Sequence, residues 1–276
     1  MDIEEIVAPS APTSGDVRRL IEAWAPPHLA ESWDNVGWQL GHDHAELRAI
    51  LVALDVDHAV IDEAMAHDAN LIVAHHPLLF RGLKRVDPSN YEGRMIKRLL
   101  CDEIHVLAAH TNLDRVPDGV NGALAATLGL TPYAPLSAHA GDPTMGFGAC
   151  CRGEPRTARE MARQVAQALG APQVRLTVAV EGADRQHTHV ALLGGSGASL
   201  IDDVLKSDCR LFVTGELKYH EAQGAARAGL SVIEAGHYHS ERPVLGRIAE
   251  RLKGLGTPVY VAESVTSPFA SNWESE

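Results

Sequence analysis

The sequence predicts an α/β protein of two related lobes of strand-helix repeats, with its chemistry at the strand carboxyl ends, in the cleft between the lobes. Three observations predict it. Short aliphatic and β-branched runs alternate with helical apolar spacings. That alternation occurs once in each half of the chain. Most of the apolar runs end in a loop carrying histidine or carboxylate. Parallel strands with helical crossovers follow from such an order, and open sheets of this kind bind ligands beyond the carboxyl ends of their strands.

Residues 1–14, with Pro9 and Pro12, read as a flexible arm. A helix is expected from about Asp16 to Trp24, stopped by Pro26-Pro27. Residues 32–41, SWDNVGWQLG, mix turn formers with aromatics, and Trp33, Asp34 and Asn35 read as structural. Buried strands are expected at Ala49–Asp55, Asn70–Ala74 and Ile104–Ala109, with helices at Val60–His67, Glu92–Asp102 and Asn121–Leu128. The second half repeats the rhythm. Strands are expected at Val190–Leu193, Leu211–Thr214, Ser231–Ala235 and Pro258–Ala262, and helices at Ala198–Lys206, Glu221–Ala228 and Pro243–Leu252. Between the halves lie a helix, Ala158–Leu169, and a strand, Val174–Val180. The lobes are therefore placed at 15–133 and 134–276, with the C-terminal segment free to pack back on the first.

Composition narrows the function classes. At 276 residues the chain buries enough surface to fold without disulfides. Its net charge of −12 argues against broad binding to nucleic acid or anionic membranes, which needs basic surface. No run approaches the ~20 apolar residues of a spanning helix, and the acidic start is unlike a signal peptide. The four cysteines form no C-x-x-C, and the neighbours Cys150 and Cys151 are badly placed for a disulfide. A cytoplasmic protein is expected.

Fifteen histidines are the unusual entry in the composition. His75-His76-Pro77 ends one strand. A lone histidine there is more often a surface residue than a ligand, but two in tandem change the balance, and Pro77 holds the exit extended. Neighbours in a strand point to opposite faces, so both imidazoles can converge only where the strand has ended. His110-Thr111-Asn112-Leu113-Asp114 ends the next strand. Its plainer reading is an Asx turn with Asp114 as a cap. Beside the double histidine an acidic ligand weighs equally, with His110 orienting a carboxylate or a water. In Gly236-His237-Tyr238-His239-Ser240-Glu241, an N-cap at Ser240 would put Glu241 in a first helical turn, favoured by the macrodipole. The functional reading turns His237 and Glu241 toward one point, with His239 as a rival ligand. Three imidazoles and two carboxylates suit zinc, manganese, iron, cobalt or nickel. Bridged two-metal centres, with ions about 3.5–4 Å apart, perform hydrolysis. No G-x-S-x-G nucleophile competes. Gly194-Gly195-Ser196-Gly197 precedes a helix and offers amides to a phosphate, although a tight strand-to-helix turn explains it better.

The stretches SWDNVGWQLG, VAHHPLLF, AAHTNLD, LLGGSG, TGELKYHEA and GHYHSE, in that order over residues 32–241, resemble the NIF-three-like family, whose members include GTP cyclohydrolase 1 type 2 homologs. The resemblance implies a dinuclear metal site. It assigns metal-binding roles to His75 and His76, to Asp114 closing HTNLD, and to His237 and Glu241 of the GHxxxE pattern. It also implies a homohexamer, in the compact form without an inserted domain. The activity implied is hydrolysis of a C–N bond in a nucleotide or related heterocycle. For such a hydrolase, the residues themselves offer His110 or His220 to handle protons. The alternative is a non-catalytic metal-binding scaffold for metal trafficking or regulation.

Overall fold

The computed structural model describes residues 11–182 and 184–269. Of the expected arm, residues 1–10 lie outside the described residues. Thr13 forms an isolated bridge with Glu46, and its amide and hydroxyl donate to the Asp16 carboxylate at 2.7 and 2.8 Å. That bond closes a capping box, so helix α1 (Ser14–Trp24) starts two residues earlier than expected. Then come β1 (Gly37–Leu40), β2 (Ile50–Ala53), α2 (His58–Ala66), β3 (Leu71–Ala74), α3 (Tyr91–Cys101), β4 (His105–Ala108) and a short α4 (Thr111–Arg115). The middle of the chain forms α5 (Val120–Thr127), β5 (Thr131–His139), β6 (Asp142–Arg156), α6 (Ala158–Leu169), β7 (Arg175–Thr177) and β8 (His187–Ser196). The last part holds α7 (Ile201–Lys206), β9 (Leu211–Glu216), α8 (Tyr219–Arg227), β10 (Ser231–Glu234), α9 (His237–Glu241), α10 (Val244–Leu252) and β11 (Val259–Val261).

The described residues fall into two compact units. One comprises 11–26, 35–109 and 248–264; the other comprises 27–34, 110–247 and 265–269. The sheet of the first unit has the order β1-β4-β3-β2-β11. Strands β11, β2, β3 and β4 run parallel, and β1 closes one edge antiparallel to β4. All four residues of β2 and of β3 are buried, as expected for strands covered on both faces. Leu51, Ile72, Val60, Ile61 and Leu99 pack in one cluster. Burying each side chain of this size contributes roughly 1.5–3 kcal/mol.

The sheet of the second unit has the order β5-β6-β8-β9-β10-β7. Its centre, β8-β9-β10, is parallel. One face packs Leu192, Val213 and Ile233, and the other Ala191, Phe212 and Val232. The same alternation sends Cys151 to the first face and Cys150 to the second, and both thiols are free.

The parallel strands expected from the sequence form the centre of each sheet, and antiparallel strands are added at the edges. β5 and β6 form a long antiparallel hairpin closed between His139 and Asp142, and β7 runs antiparallel to β10. Pro132 and Pro135 fit because β5 is an edge strand, where a missing N–H leaves no ladder bond unmade.

Candidate metal centre

The first unit brings three strand ends into line. Ala53, Ala74 and Ala108 are register partners across β2, β3 and β4. The ladder runs on: His75 N–H donates to Ala53 O at 3.1 Å, His76 N–H to Leu54 O at 2.9 Å, and Ala109 N–H to Ala74 O at 3.0 Å. Beyond these bonds the two imidazoles come together, with ring centroids 5.0 Å apart and a ligand nitrogen of each within 4.8 Å of the other. His75 is fully buried. Its Nδ1 lies 2.8 Å from Ala109 O. A carbonyl only accepts, so Nδ1 carries the proton and Nε2 the electron pair. His76 Nδ1 lies 2.6 Å from Asp55 Oδ1, at the end of β2, which fixes the same tautomer.

The second unit builds a matching group on α9. Gly236, at φ +86°, turns the chain out of β10. The helix starts at His237, so Ser240 lies inside it and Glu241 is its last residue. Of the two readings of Glu241, the one with Ser240 as an N-cap falls away, because the N-cap is Gly236 and the macrodipole does not favour Glu241. Positions four apart share a helix face, and His237 Nε2 stands 3.2 Å from Glu241 Oε2. His237 Nδ1 lies 3.3 Å from Glu216 Oε1, at the end of β9. The Glu241 side chain is 5 % exposed, too buried for a solvated surface carboxylate. His239, the rival ligand, turns its ring edge-on to Tyr238; burial and then the Arg242 charge lower its pKa.

Glycine makes room for this group. Gly195 sits at φ +72°, and a β-carbon there would come within 2.3 Å of Glu241 Oε1 and 3.3 Å of His237 Nε2. The phosphate-cradle reading of Gly194-Gly195-Ser196-Gly197 is corrected. Gly194 and Gly195 lie in β8 and donate their amides to Asn121 Oδ1 at 3.1 Å and Ser240 Oγ at 3.0 Å. Gly197 N–H donates to Glu216 O. The Gly194 and Gly195 amides anchor α5 and α9 to the sheet, and that of Gly197 ties β8 to β9.

Asp114 belongs to α4, and the N-cap positions of α4 and α5 are His110 and Gly119. The Asx-type bond uses Asn112, whose Oδ1 accepts from His110 N–H at 3.0 Å. Asp114 lines a cavity of about 410 Å³ with Arg115, Asn121, Pro132, Tyr133 and Pro135. His110 Nδ1 lies 2.8 Å from Asp34 Oδ1. His220 is exposed on the first turn of α8, its ring 5.1 Å from that of Tyr219. Within a unit, then, His75 stands with His76, and His237 with Glu241.

The sequence reading overlooked the carboxylates Asp55 and Glu216, which orient histidines. Their signal was position: Asp55 follows the apolar run of β2, and Glu216 closes β9. The donor set fits a divalent transition ion. His75 and His76 each face an oxygen acceptor through Nδ1, the arrangement by which metal-ligating histidines present Nε2, and His237 stands between two carboxylates, Glu216 at Nδ1 and Glu241 at Nε2. The chain thus carries His and Glu groups able to bind metal. Among the described residues no helix is long and apolar enough to cross a membrane.

The comparisons agree with the motifs. The family profile described as Duf34/NIF3 (NGG1p interacting factor 3) matches residues 12–268. A Streptomyces coelicolor protein named GTP cyclohydrolase 1 type 2 homolog is 35% identical over 272 residues, covering 95% of each chain. A Nostoc protein of the same name is 37% identical over 242 residues, covering 87% of this chain and 91% of its own. Among solved structures, a Staphylococcus aureus hypothetical protein superposes with a TM-score of 0.88 at 26% identity, covering 95% of this chain and 99% of its own. The motifs, the paired sheets and these matches lead to one assignment: the chain belongs to the Duf34/NIF3 family.

Proposed function

We propose that the chain is a dinuclear, metal-dependent hydrolase acting on a nucleotide or related heterocycle. Its ions are held by His75, His76, Asp114, His237 and Glu241. The observation that carries this reading is the common orientation of His75 and His76, each giving Nδ1 to an oxygen acceptor, together with the pairing of His237 and Glu241 on one helix face. The buried Glu241 carboxylate supports it, because a buried carboxylate needs compensating positive charge. Bound divalent ions supply Lewis acidity and a water of lowered pKa.

The chain's own residues do the rest. The Ala109 carbonyl and Asp55 fix the tautomers of His75 and His76, and Glu216 lies behind His237. His110 and His220 are the residues assigned to move protons to and from substrate. The cavity beside Asp114, walled by Pro132, Tyr133 and Pro135, offers flat apolar surface for a ring. The names of the S. coelicolor and Nostoc relatives support nucleotide hydrolysis, as does the family resemblance. A homohexamer is proposed on that resemblance alone, and a cytoplasmic location on the free cysteines as well.

The test is to load the purified chain with manganese, zinc or iron and incubate it with GTP, other nucleotides and cyclic amides, following the products chromatographically. Turnover abolished by Asp114→Ala supports the proposal. Metal bound with no turnover across the panel overturns the hydrolase and leaves the metal-binding scaffold.

A further inference from the structure

We propose that Asp34 is a positioning residue that holds the proton of His110 on Nδ1 and so keeps Nε2 as its basic nitrogen. This inference rests on the reading of His110 as a group that moves protons. Both residues belong to the second unit, and the Asp34 side chain is fully buried.

The hydrogen-bond directions are determined by chemistry. Thr111 Oγ1 accepts the Glu31 amide at 3.0 Å, so its own proton is free to go to Asp34 Oδ2. The Thr111 amide donates to the same oxygen at 3.1 Å. Asp34 Oδ2 therefore takes two donors, and Oδ1 faces His110 Nδ1 at 2.8 Å. Burial opposes ionisation of Asp34, but the bonds from His110 and Thr111 outweigh it and hold the carboxyl well below the usual range. An ionised carboxylate only accepts, so the facing nitrogen of His110 must carry hydrogen. Trp33 stands edge-on to the same imidazole, with centroids 6.4 Å apart.

The asymmetry of the two oxygens makes the test sharp. In Asp34→Asn the amide oxygen must occupy the Oδ2 place, because the Thr111 amide and hydroxyl both donate there. The NH₂ then faces His110 Nδ1, which becomes an acceptor, and the proton moves to Nε2. An analogous Asp-to-Asn change leaves a catalytic histidine in the wrong tautomer elsewhere. Thr111→Val keeps the carboxylate and should leave the tautomer alone.

The experiment is magic-angle-spinning NMR of the zinc-supplemented, full-length protein labelled with ¹⁵N-histidine. His110 is assigned by its disappearance in His110→Gln. The expected result is Nδ1 protonated in the parent and in Thr111→Val, and Nε2 protonated in Asp34→Asn. A parent spectrum with the His110 proton on Nε2 overturns the proposal without any variant, and so does an unchanged tautomer in a folded Asp34→Asn. The readout needs no turnover, so an absent hydrolase activity and an absent Asp34 role are told apart.

Discussion

Asp55 and His76 are joined across two adjacent strand ends by a 2.6 Å bond from His76 Nδ1 to Asp55 Oδ1. The parallel register of β2 and β3 places them there, since Ala53 and Ala74 are partners immediately before. A carboxylate behind a ligating imidazole raises its basicity and locks its ring, and losing such a partner typically weakens metal binding by about 10–100-fold. Asp55→Asn should therefore weaken metal binding by about that factor, measured by competition with a chromogenic chelator. Unchanged affinity would remove Asp55 from the site.

Gly195→Ala tests the cradle beneath Glu241. The substitution puts a side chain at φ +72° and a carbon 2.3 Å from Glu241 Oε1. The backbone cost alone is roughly 1–2 kcal/mol, and the displaced carboxylate should reduce metal content. Denaturant melts and elemental analysis read the two effects separately. Parent-like values in both would show that the close approach has no consequence.

Acid should unfasten the segment after β11 from α2. Glu63 accepts from Glu263 N–H at 2.7 Å, Ser264 N–H at 3.0 Å and Ser264 Oγ at 2.6 Å. Burial opposes its ionisation, but the Ser264 and Glu263 bonds prevail and lower its pKa. A depressed folded-state pKa means the stabilisation is complete above the unfolded value, near 4.3 for Glu, and is lost as pH falls through the folded value. Glu63→Gln should cost about 1–2 kcal/mol at pH 7, with the gap to the parent closing at the acid end of a pH series of urea melts. A gap that stays constant to low pH would contradict the assignment.

The four cysteines should divide one against three. Cys101 is exposed, whereas Cys150, Cys151 and Cys209 are buried, and burial pushes the Cys151 thiol up to about 12. A thiol-reactive chromophore should label one cysteine quickly in the native protein and the others only on unfolding. Rapid native labelling of all four would contradict the packing of β6.

Much of the frame was legible because buried parallel strands write continuous aliphatic runs. AILVALD, NLIVA and the run before His110 each became a strand of the first sheet, and Ala158–Leu169 became a helix with the expected bounds. The β5–β6 hairpin was not legible, because an edge strand tolerates the prolines that argue against a central one. The start of α9 was hidden by Ser240, whose hydroxyl serves the sheet through Gly195 rather than a helix end. Asp34 read as structural, since nothing in a sequence reveals a contact with a histidine 76 positions away. The paired histidines and the HxxxE spacing were readable for a plainer reason: a strand end and one helical turn are local geometry.

The most direct test of the central claim is elemental analysis of the parent, His75→Ala and Glu241→Ala, each loaded with excess divalent ion and desalted. Circular dichroism melts monitor the fold in parallel. The account predicts a pair of ions per parent chain and a reduced complement in both variants, with the melts retained. Metal content unchanged in both folded variants would contradict it.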